Sequence, residues 1–263
     1  MKSFKDAKRI VIKVGSSSLT YETGMLNIRM FERLCKLLAD VRNSGREIIL
    51  VSSGAIPVGM SKLGLKARPQ TLPEKQAAAA VGQCELMYMY DKQLKEYHHK
   101  VAQVLLTRDV VEQSIRKELV QNTFESLLGM GAMPIVNEND TVAVEEIEFG
   151  DNDTLSAIVA SLTHADGLVI LSDIDGLFEK DPARYPGARL IEHVSEIDEH
   201  IEEIAGGVGS NRGTGGMVTK IAAAKICFEN DCAMAILNSA NMEKLYDLLD
   251  GESVGTVFMK EGI

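Results

Sequence analysis

The residues of this chain with the clearest chemical potential are six Asp and Asn side chains. They crowd the end of one predicted strand and the start of the helix that follows it: Asn137, Asn139, Asp140, Asp151, Asn152 and Asp153. A strand end beside a helix start is a common ligand position in an open α/β sheet. The alternative is a solvated loop with a helix cap, but a cap needs one such side chain rather than six. The stretch therefore favours a site for a polar ligand.

Two lysines add positive charge in unusual contexts. Lys13 interrupts the β-branched run IVIKV, and a buried ammonium is costly unless it reaches a partner or a cavity. The alternative is an edge strand with a snorkelling lysine. Lys220 ends GGVGSNRGTGGMVTK, the most glycine-rich stretch, which opens a predicted helix. Such a helix start could hold the phosphates of a nucleotide, and a mobile surface loop is the alternative.

Small residues form two further turns, each after an early predicted strand. Gly15 begins the run GSSS, and Ser53 and Gly54 lie in the run SSGA. Strand-to-helix turns of this kind expose backbone N–H groups that favour anions. The alternative is that each is a plain tight turn that binds no ligand. The presence of two similar turns after two early strands makes this alternative less favoured.

Several common catalytic motifs are missing from the sequence. Lys220 is followed by Ile221 rather than Ser or Thr, so the glycine-rich stretch is not a Walker A loop, and its spacing also fails the G-x-G-x-x-G fingerprint. Neither G-x-S-x-G nor H-E-x-x-H is present.

Lysines, glycine-rich turns and N–H donors are what phosphoryl transfer requires. A carboxylate acceptor, with a reference pKa of about 4.3, would already be ionised and would need no general base.

Composition narrows the class of protein. The 263 residues are 45% hydrophobic, enough for one large core, and the net charge of −10 argues against general nucleic-acid binding. No apolar run is long enough to span a membrane, and no signal peptide is recognisable. The four cysteines show no metal-ligand spacing, which fits a reducing compartment. We therefore expect a cytoplasmic protein that binds neither nucleic acid nor membrane.

The elements that must position these residues alternate along the chain. Hydrophobic periodicity predicts strands at 9–14, 47–51, 101–106, 132–136, 167–171, 233–237 and 255–259, and helices at 27–43, 71–97, 114–130, 154–164, 217–229 and 242–250. This alternation predicts an α/β fold in three layers, a mostly parallel central sheet with helices on both faces. No linker divides the chain, so residues 1–263 are predicted to form a single domain.

Seven motifs in this order resemble the glutamate 5-kinases of the amino-acid kinase family: IVIKVGSSSLT, VSSGAIPVG, LLTRDV, PIVNENDTVA, FGDNDTLSA, SDIDGLF and GTGGMVTK. The resemblance runs through nearly the whole chain, and the set is more specific than any single motif. It implies the amino-acid kinase fold, with a substrate lobe at about 1–165 and a nucleotide lobe at about 166–263. It also implies a short form without the C-terminal PUA domain that many members carry.

The resemblance further implies ATP-dependent phosphorylation of the L-glutamate side-chain carboxylate, the first step of proline biosynthesis, with Mg²⁺ carried by the nucleotide rather than by a protein metal site. Lys13 and Lys220 would stabilise the transferring phosphoryl group, and Asp153 would hold them. Glutamate would be bound by Ser53, Gly54, Asp140 and Asn152. The nucleotide would be bound by Lys13, Gly15, Ser172, Asp173, Thr214, Gly215, Gly216, Met217, Val218, Thr219 and Lys220.

Two other functions stay open at this point. One is a kinase of the same fold acting on another acceptor, such as N-acetylglutamate or UMP; the Asp/Asn stretch lacks the arginines that would grip a nucleotide phosphate. The other is a non-catalytic amino-acid sensor, against which the two retained lysines argue. Inhibition by proline and a homo-oligomer, a dimer or a tetramer, are further expectations; the alanine run at 77–80 and Gly82 indicate close packing, which another subunit could provide.

Overall fold

The structure is a computed structural model that describes residues 1–21, 23–107, 110, 113–142, 151–207 and 216–260. The chain divides into two compact units. The N-terminal unit comprises residues 14–149, and the C-terminal unit comprises residues 1–13 and 150–263. The predicted division into a substrate lobe and a nucleotide lobe concerns function and stays a prediction.

Within the described residues the strands are β1 (Arg9–Val14), β2 (Glu47–Ser52), β3 (Lys100–Leu106), β4 (Ala132–Glu138), β5 (Gly167–Ser172), β6 (His193–Val194), β7 (Ala233–Asn238) and β8 (Thr256–Phe258). The α-helices are α1 (Ser16–Leu19), α2 (Ile28–Asn43), α3 (Ala55–Leu63), α4 (Leu72–Lys95), α5 (Ser114–Gly129), α6 (Asn152–Leu162), α7 (Glu199–Gly207), α8 (Met217–Glu229) and α9 (Lys244–Asp250). Two short 3₁₀ helices span Phe4–Asp6 and Ser239–Asn241.

The N-terminal unit contains a parallel sheet in the strand order β3-β4-β2. Its central strand β4 is buried at six of its seven positions, as expected for a strand covered on both faces. Helix α2 has a marked apolar face that includes Phe31, Leu34 and Leu38, and all three side chains are buried. The sheet and this helix form a core beneath the polar ends of β2 and β4.

Helices α3 and α4 approach each other at backbone distance. A Cβ added to Gly82 would lie 1.7 Å from the carbonyl oxygen of Ala55, and one added to Gly59 would lie 1.8 Å from that of Ala78. Only glycine permits this approach. The close packing expected around Gly82 is therefore present, and its partner is α3 of the same chain rather than another subunit.

The C-terminal unit contains strands in the order β1-β5-β7-β8-β6. Strands β5 and β7 pair in parallel from Gly167 with Ala233 to Ser172 with Asn238, so their polar carboxyl ends lie side by side. Strand β8 pairs antiparallel with β7 and parallel with β6, which makes the predicted sheet mostly rather than wholly parallel. Helices α6 and α8 pack against each other through small residues such as Ala157, Ala223 and Ala224, all fully buried.

The predicted strands and helices are present, with differences at their ends, and the structure adds helix α3 after the turn at Ser53 and Gly54. The serines after Gly15 form the short helix α1 rather than an irregular turn. Between β5 and α8, the described residues contain an antiparallel bridge between Phe178 and Leu190, the short strand β6 and helix α7. Among the described residues, every helix is too short or too polar to cross a bilayer.

Candidate active site

A buried carboxylate in the C-terminal unit joins the two lysines that the sequence singled out. Asp153 is fully buried. Its Oδ1 lies 2.6 Å from Nζ of Lys13, and its Oδ2 accepts a hydrogen bond of 3.1 Å from Nζ of Lys220. Each carboxylate oxygen thus faces a different ammonium group, so the aspartate binds both lysines and keeps their charges apart. We call these three residues the lysine–aspartate cluster.

Each member of the cluster lies at the end of a regular element. Lys13 is the penultimate residue of β1, and Asp153 lies in the first turn of α6. Lys220 is the fourth residue of α8, which begins after Gly216. Three backbone segments that are distant in sequence therefore fix the three charged groups. Both lysines are less than 10% exposed, so their ammonium groups cannot be explained as snorkelling to solvent.

The first turn of α8 is electrostatically unfavourable for a lysine, because the helix dipole places positive charge there. Asp153 compensates for this placement, and its own position at the start of α6 is favourable for the same reason. The hydroxyl of Thr219 lies 2.9 Å from Asp153 Oδ2 and 2.7 Å from the carbonyl oxygen of Gly216. Thr219 thereby ties the carboxylate to the glycine turn that opens α8.

The charges in the cluster determine the protonation state of Asp153. Burial acts to raise the pKa of this carboxyl, but the charges of Lys13 and Lys220 and the hydroxyl of Thr219 outweigh burial and hold the pKa below its ordinary value. Asp153 is therefore ionised at neutral pH. Two ammonium groups facing one carboxylate leave the cluster with one excess positive charge in a largely buried position, where an anionic group would be stabilised.

Asp151 orients the helix that carries Asp153. Its Oδ1 accepts hydrogen bonds from the backbone N–H groups of Asp153, at 2.6 Å, and Thr154, at 2.9 Å. These bonds satisfy donors that the first turn of a helix otherwise leaves open. Burial and the neighbouring charge of Asp153 raise the pKa of Asp151, and the bond from Thr154 opposes this rise. The cap interpretation is thus correct for Asp151.

The other predicted nucleotide-binding residues of this unit lie at carboxyl ends of strands and at one helix start. Ser172 ends β5, and its hydroxyl donates to the carboxylate of Asp173 at 3.1 Å. Gly216, Met217, Val218 and Thr219 surround the first turn of α8. Thr214 and Gly215 lie outside the described residues. The described part supplies a helix N-terminus and a buried lysine, which suit a phosphate group.

In the N-terminal unit, the two predicted small-residue turns lie at helix starts. Gly54 precedes α3 with a φ of +107°, a left-handed conformation that favours glycine. The backbone N–H of Ser53 donates to the carbonyl oxygen of Val14 at 3.1 Å. Gly15 precedes α1, and its carbonyl oxygen accepts from the N–H groups of Ser18 and Leu19.

Asp140 lines a cavity of about 330 Å³ in the same unit. Helix α4 and strands β3 and β4 with the turn after β4 form its walls. Its lining combines small, apolar and polar side chains: Ala79, Ala80, Gln83, Cys84, Met87, Gln103, Leu105, Glu138, Asn139, Asp140 and Thr141. At the nearby end of β4, the amide of Asn137 donates to Oε1 of Gln83 at 3.0 Å. A small amino acid would fit a cavity of this size, with Asp140 as a partner for its ammonium group.

The structure brings together Lys13, Asp153, Thr219 and Lys220 within the C-terminal unit. Asn152 is the first residue of α6 in that unit, whereas Ser53, Gly54 and Asp140 belong to the N-terminal unit. Sequence reasoning missed Gln83 as part of the cavity wall. Its polar side chain directly after the apolar and small residues at 77–82 was the available signal.

Among the described residues, no group of three or more His, Cys, Asp or Glu side chains is arranged to hold a metal ion. Asp173, directly after β5, is the one carboxylate among the predicted nucleotide-binding residues. The described donor set is compatible with a metal ion that enters with a nucleotide and takes most of its ligands from phosphate oxygens and water.

A family model and several known proteins match this chain over most of its length. The model of the amino acid kinase family matches residues 8–238. A glutamate 5-kinase of Clostridium perfringens is 54% identical over 262 residues, covering 98% of this chain and 97% of the relative. Glutamate 5-kinases of Listeria innocua, at 53% identity over 97% of this chain and 94% of the relative, and Enterococcus faecalis, at 51% over 98% and 97%, are also similar.

Solved structures show the same fold at low sequence identity. Carbamate kinase from Giardia lamblia bound to AMP-PNP has a TM-score of 0.68 and 16% identity, covering 98% of this chain and all of that one. UMP kinase from Bacillus anthracis has a TM-score of 0.65 and 14% identity, covering 97% of each chain. The predicted α/β fold with a mostly parallel sheet is confirmed. The chain therefore belongs to the amino acid kinase family, within its glutamate 5-kinase branch.

Proposed function

We propose that this chain transfers the terminal phosphoryl group of ATP to the side-chain carboxylate of L-glutamate, giving L-glutamyl 5-phosphate and ADP. This reaction is the first step of proline biosynthesis. The observation that carries the proposal is the lysine–aspartate cluster, in which two buried ammonium groups are held apart by one carboxylate. The 51–54% identity to glutamate 5-kinases over nearly the whole chain supports glutamate as the acceptor.

Lys13 and Lys220 stabilise the negative charge that spreads over the oxygens of the transferring phosphoryl group. Asp153 keeps the two ammonium groups in place before the reaction, so little reorganisation is needed when charge develops. Both lysines are buried, which strengthens their attraction for a phosphate relative to the same groups in water. The divalent metal ion, proposed to be Mg²⁺, arrives with ATP and neutralises part of the phosphate charge.

No general base is required for this acceptor. A glutamate side chain with a reference pKa of about 4.3 is ionised at neutral pH, so its oxygen is already a nucleophile. The enzyme then has to bind and align it rather than deprotonate it. Asp140 is assigned to the substrate ammonium group, and Ser53, Gly54 and Asn152 are assigned to the rest of the amino acid.

The nucleotide is assigned to Ser172 and Asp173 at the end of β5, to Gly15, and to the start of α8. There the N–H groups after Gly216 and the side chains of Thr219 and Lys220 face a phosphate. Thr214 and Gly215 are assigned to the nucleotide from the family resemblance alone.

The test is an assay of the purified chain with ATP, Mg²⁺ and a panel of acceptors, in which hydroxylamine traps any acyl phosphate as a hydroxamate. Glutamate is expected to give hydroxamate and ADP in equal amounts, whereas N-acetylglutamate and UMP are expected to give little product. A UMP product, or hydroxamate from N-acetylglutamate alone, would contradict the assigned acceptor. ADP release that does not depend on any acceptor would contradict the proposal as well.

Inhibition by proline, assembly into a dimer or a tetramer, and a cytoplasmic location are proposed from the sequence and its family resemblance. The same assay with added proline tests the first of these. Light scattering on the purified chain tests the second, because a homodimer would have twice the monomer mass. Fractionation of cells that express the chain tests the third.

A further inference from the structure

A buried hydrogen-bond chain runs from helix α4 to the turn after β2. The hydroxyl groups of Tyr90 and Ser52 lie 2.8 Å apart, and the Ser52 hydroxyl lies 3.2 Å from the carbonyl oxygen of Ser53. Either hydroxyl could donate in the Tyr90–Ser52 contact taken by itself. A carbonyl oxygen can only accept, so the arrangement that satisfies both contacts has Tyr90 donating to Ser52 and Ser52 donating its single proton to the Ser53 carbonyl.

This chain determines where the next backbone donor points. The peptide bond between Ser53 and Gly54 is trans, so the N–H of Gly54 points away from the Ser53 carbonyl. Holding that carbonyl oxygen against Ser52 directs the Gly54 N–H the opposite way within the peptide plane. The N–H of Ser53, in the preceding peptide, is held by its bond to Val14. The peptides on both sides of Ser53 are thus constrained.

Packing fixes the position of the Tyr90 hydroxyl. Tyr90 is fully buried, and its ring contacts that of Phe31 with 4.6 Å between centroids. Burial also raises the pKa of Tyr90, so its hydroxyl stays protonated and remains a donor. Gly82, about two helical turns earlier in α4, presses against the Ala55 carbonyl. Helix α4 therefore holds the Ser53–Gly54 turn at two points.

We propose that Tyr90 is a positioning residue that acts through Ser52 to aim the Gly54 N–H at the bound substrate. The proposal rests on the proposed function, in which Gly54 supplies a backbone donor to glutamate. Tyr90 itself touches neither glutamate nor ATP in this account. Its hydroxyl preorganises a donor that would otherwise sample other orientations, which is how enzymes avoid reorganisation during the reaction.

The test compares three variants: Tyr90→Phe, Ser52→Ala and the double variant. Tyr88→Phe is the matched control, because Tyr88 lies in the same helix and is 59% exposed. Removing one hydrogen-bond donor that stabilises a transition state lowers kcat about 100-fold or more. Misdirecting the Gly54 N–H without removing it is therefore expected to lower kcat/KM for glutamate about tenfold. KM for ATP should stay within about twofold. The double variant should lose no more than the worse single variant, because both break one chain.

Amide hydrogen exchange of the ligand-free chain provides a readout that does not depend on activity. Residues 52–55 should exchange about tenfold faster in Tyr90→Phe and Ser52→Ala, which corresponds to a loss of local protection, and should be unchanged in Tyr88→Phe. Unchanged exchange of residues 52–55 in Tyr90→Phe or Ser52→Ala, additive kinetic losses, or equal effects on glutamate and ATP would overturn the proposal. If the wild-type chain made no acyl phosphate, the proposed function would fail, while the exchange result would still decide whether Tyr90 holds the turn.

Discussion

The two units prepare for chemistry in different ways. The C-terminal unit relies on buried charges. The carboxylate oxygens of Asp153 lie 2.6 Å from Nζ of Lys13 and 3.1 Å from Nζ of Lys220. The N-terminal unit relies on backbone geometry, with Gly54 in a left-handed conformation and two helices packed at glycine. The first arrangement supplies electrostatic stabilisation, and the second supplies shape and direction.

This difference predicts different responses to mutation. A lysine side chain can be removed without changing the backbone, so variants of Lys13 and Lys220 should lose turnover more than structure. Removal of the Asp153 carboxylate differs, because it leaves two buried ammonium groups uncompensated and therefore also lowers stability. A glycine at a helix contact cannot be replaced without moving the helix, so variants there should lose stability first and activity as a consequence. Four predictions, from the largest effect to the smallest, follow from this comparison.

Lys13→Ala and Lys220→Ala should each lower kcat about 10³-fold, because each removes one of the two cations that stabilise the transferring group. The far-ultraviolet circular dichroism spectrum should be unchanged. Lys225→Ala is the matched control: this lysine also belongs to α8, but it pairs with Glu202 on the surface and should leave kcat unchanged. Near-normal turnover in either of the first two variants would contradict the role of the cluster.

Asp153→Asn should lower the free energy of unfolding by about 3 kcal/mol at neutral pH, because it leaves two buried ammonium groups without their carboxylate. The pKa of Asp153 is below its ordinary 3.8, so the ionised form stabilises the folded state above that pH. This contribution is lost as the pH falls through the lower, folded-state value.

Denaturant unfolding at several pH values checks this sign. The difference between the wild-type chain and Asp153→Asn should be constant above about pH 5 and should shrink below about pH 4. A difference that grows on acidification would show that the charge of Asp153 does not stabilise the fold.

Gly82→Ala should lower the free energy of unfolding by about 2 kcal/mol, because the new methyl group would overlap the Ala55 carbonyl and force α3 and α4 apart. Gly129→Ala is the matched control: a Cβ there meets no atom within 4 Å, so the change should be neutral or stabilising by about 0.5 kcal/mol. Equal losses of stability in the two variants would contradict the close contact between α3 and α4 at Gly82.

Much of this arrangement could be predicted from the sequence. A lysine inside IVIKV predicted a buried partner or a cavity, with an exposed edge strand as the alternative, and the glycine-rich stretch before Lys220 indicated a phosphate-binding helix start. The assignment of Asp153 as the partner of both lysines came from the family resemblance, because no local pattern identifies a contact between residues 13, 153 and 220. The structure adds the distribution of the two lysines over the two carboxylate oxygens and the link through Thr219.

The role of Tyr90 could not be predicted from the sequence. Tyr88 and Tyr90 stand in one short run, MYMY, yet one is exposed and the other is fully buried. Residues two apart on a helix point in nearly opposite directions, and the phase of α4 is set by its contact with α3 rather than by local sequence. The partner, Ser52, lies 38 residues earlier.

Asp151→Ala should lower the free energy of unfolding by about 1 kcal/mol, since it removes the cap of α6, whereas Asp151→Asn should change it by only a few tenths, since Asn is an equally good cap. Asp153 lies in the turn that this cap orders, so Asp151→Ala should also lower kcat a few-fold while Asp151→Asn should not. Equal losses in both variants would mean that the charge of Asp151, rather than its two hydrogen bonds, supports the cluster. The C-terminal unit would then depend on a second carboxylate, and its contrast with the backbone-directed N-terminal unit would be sharper.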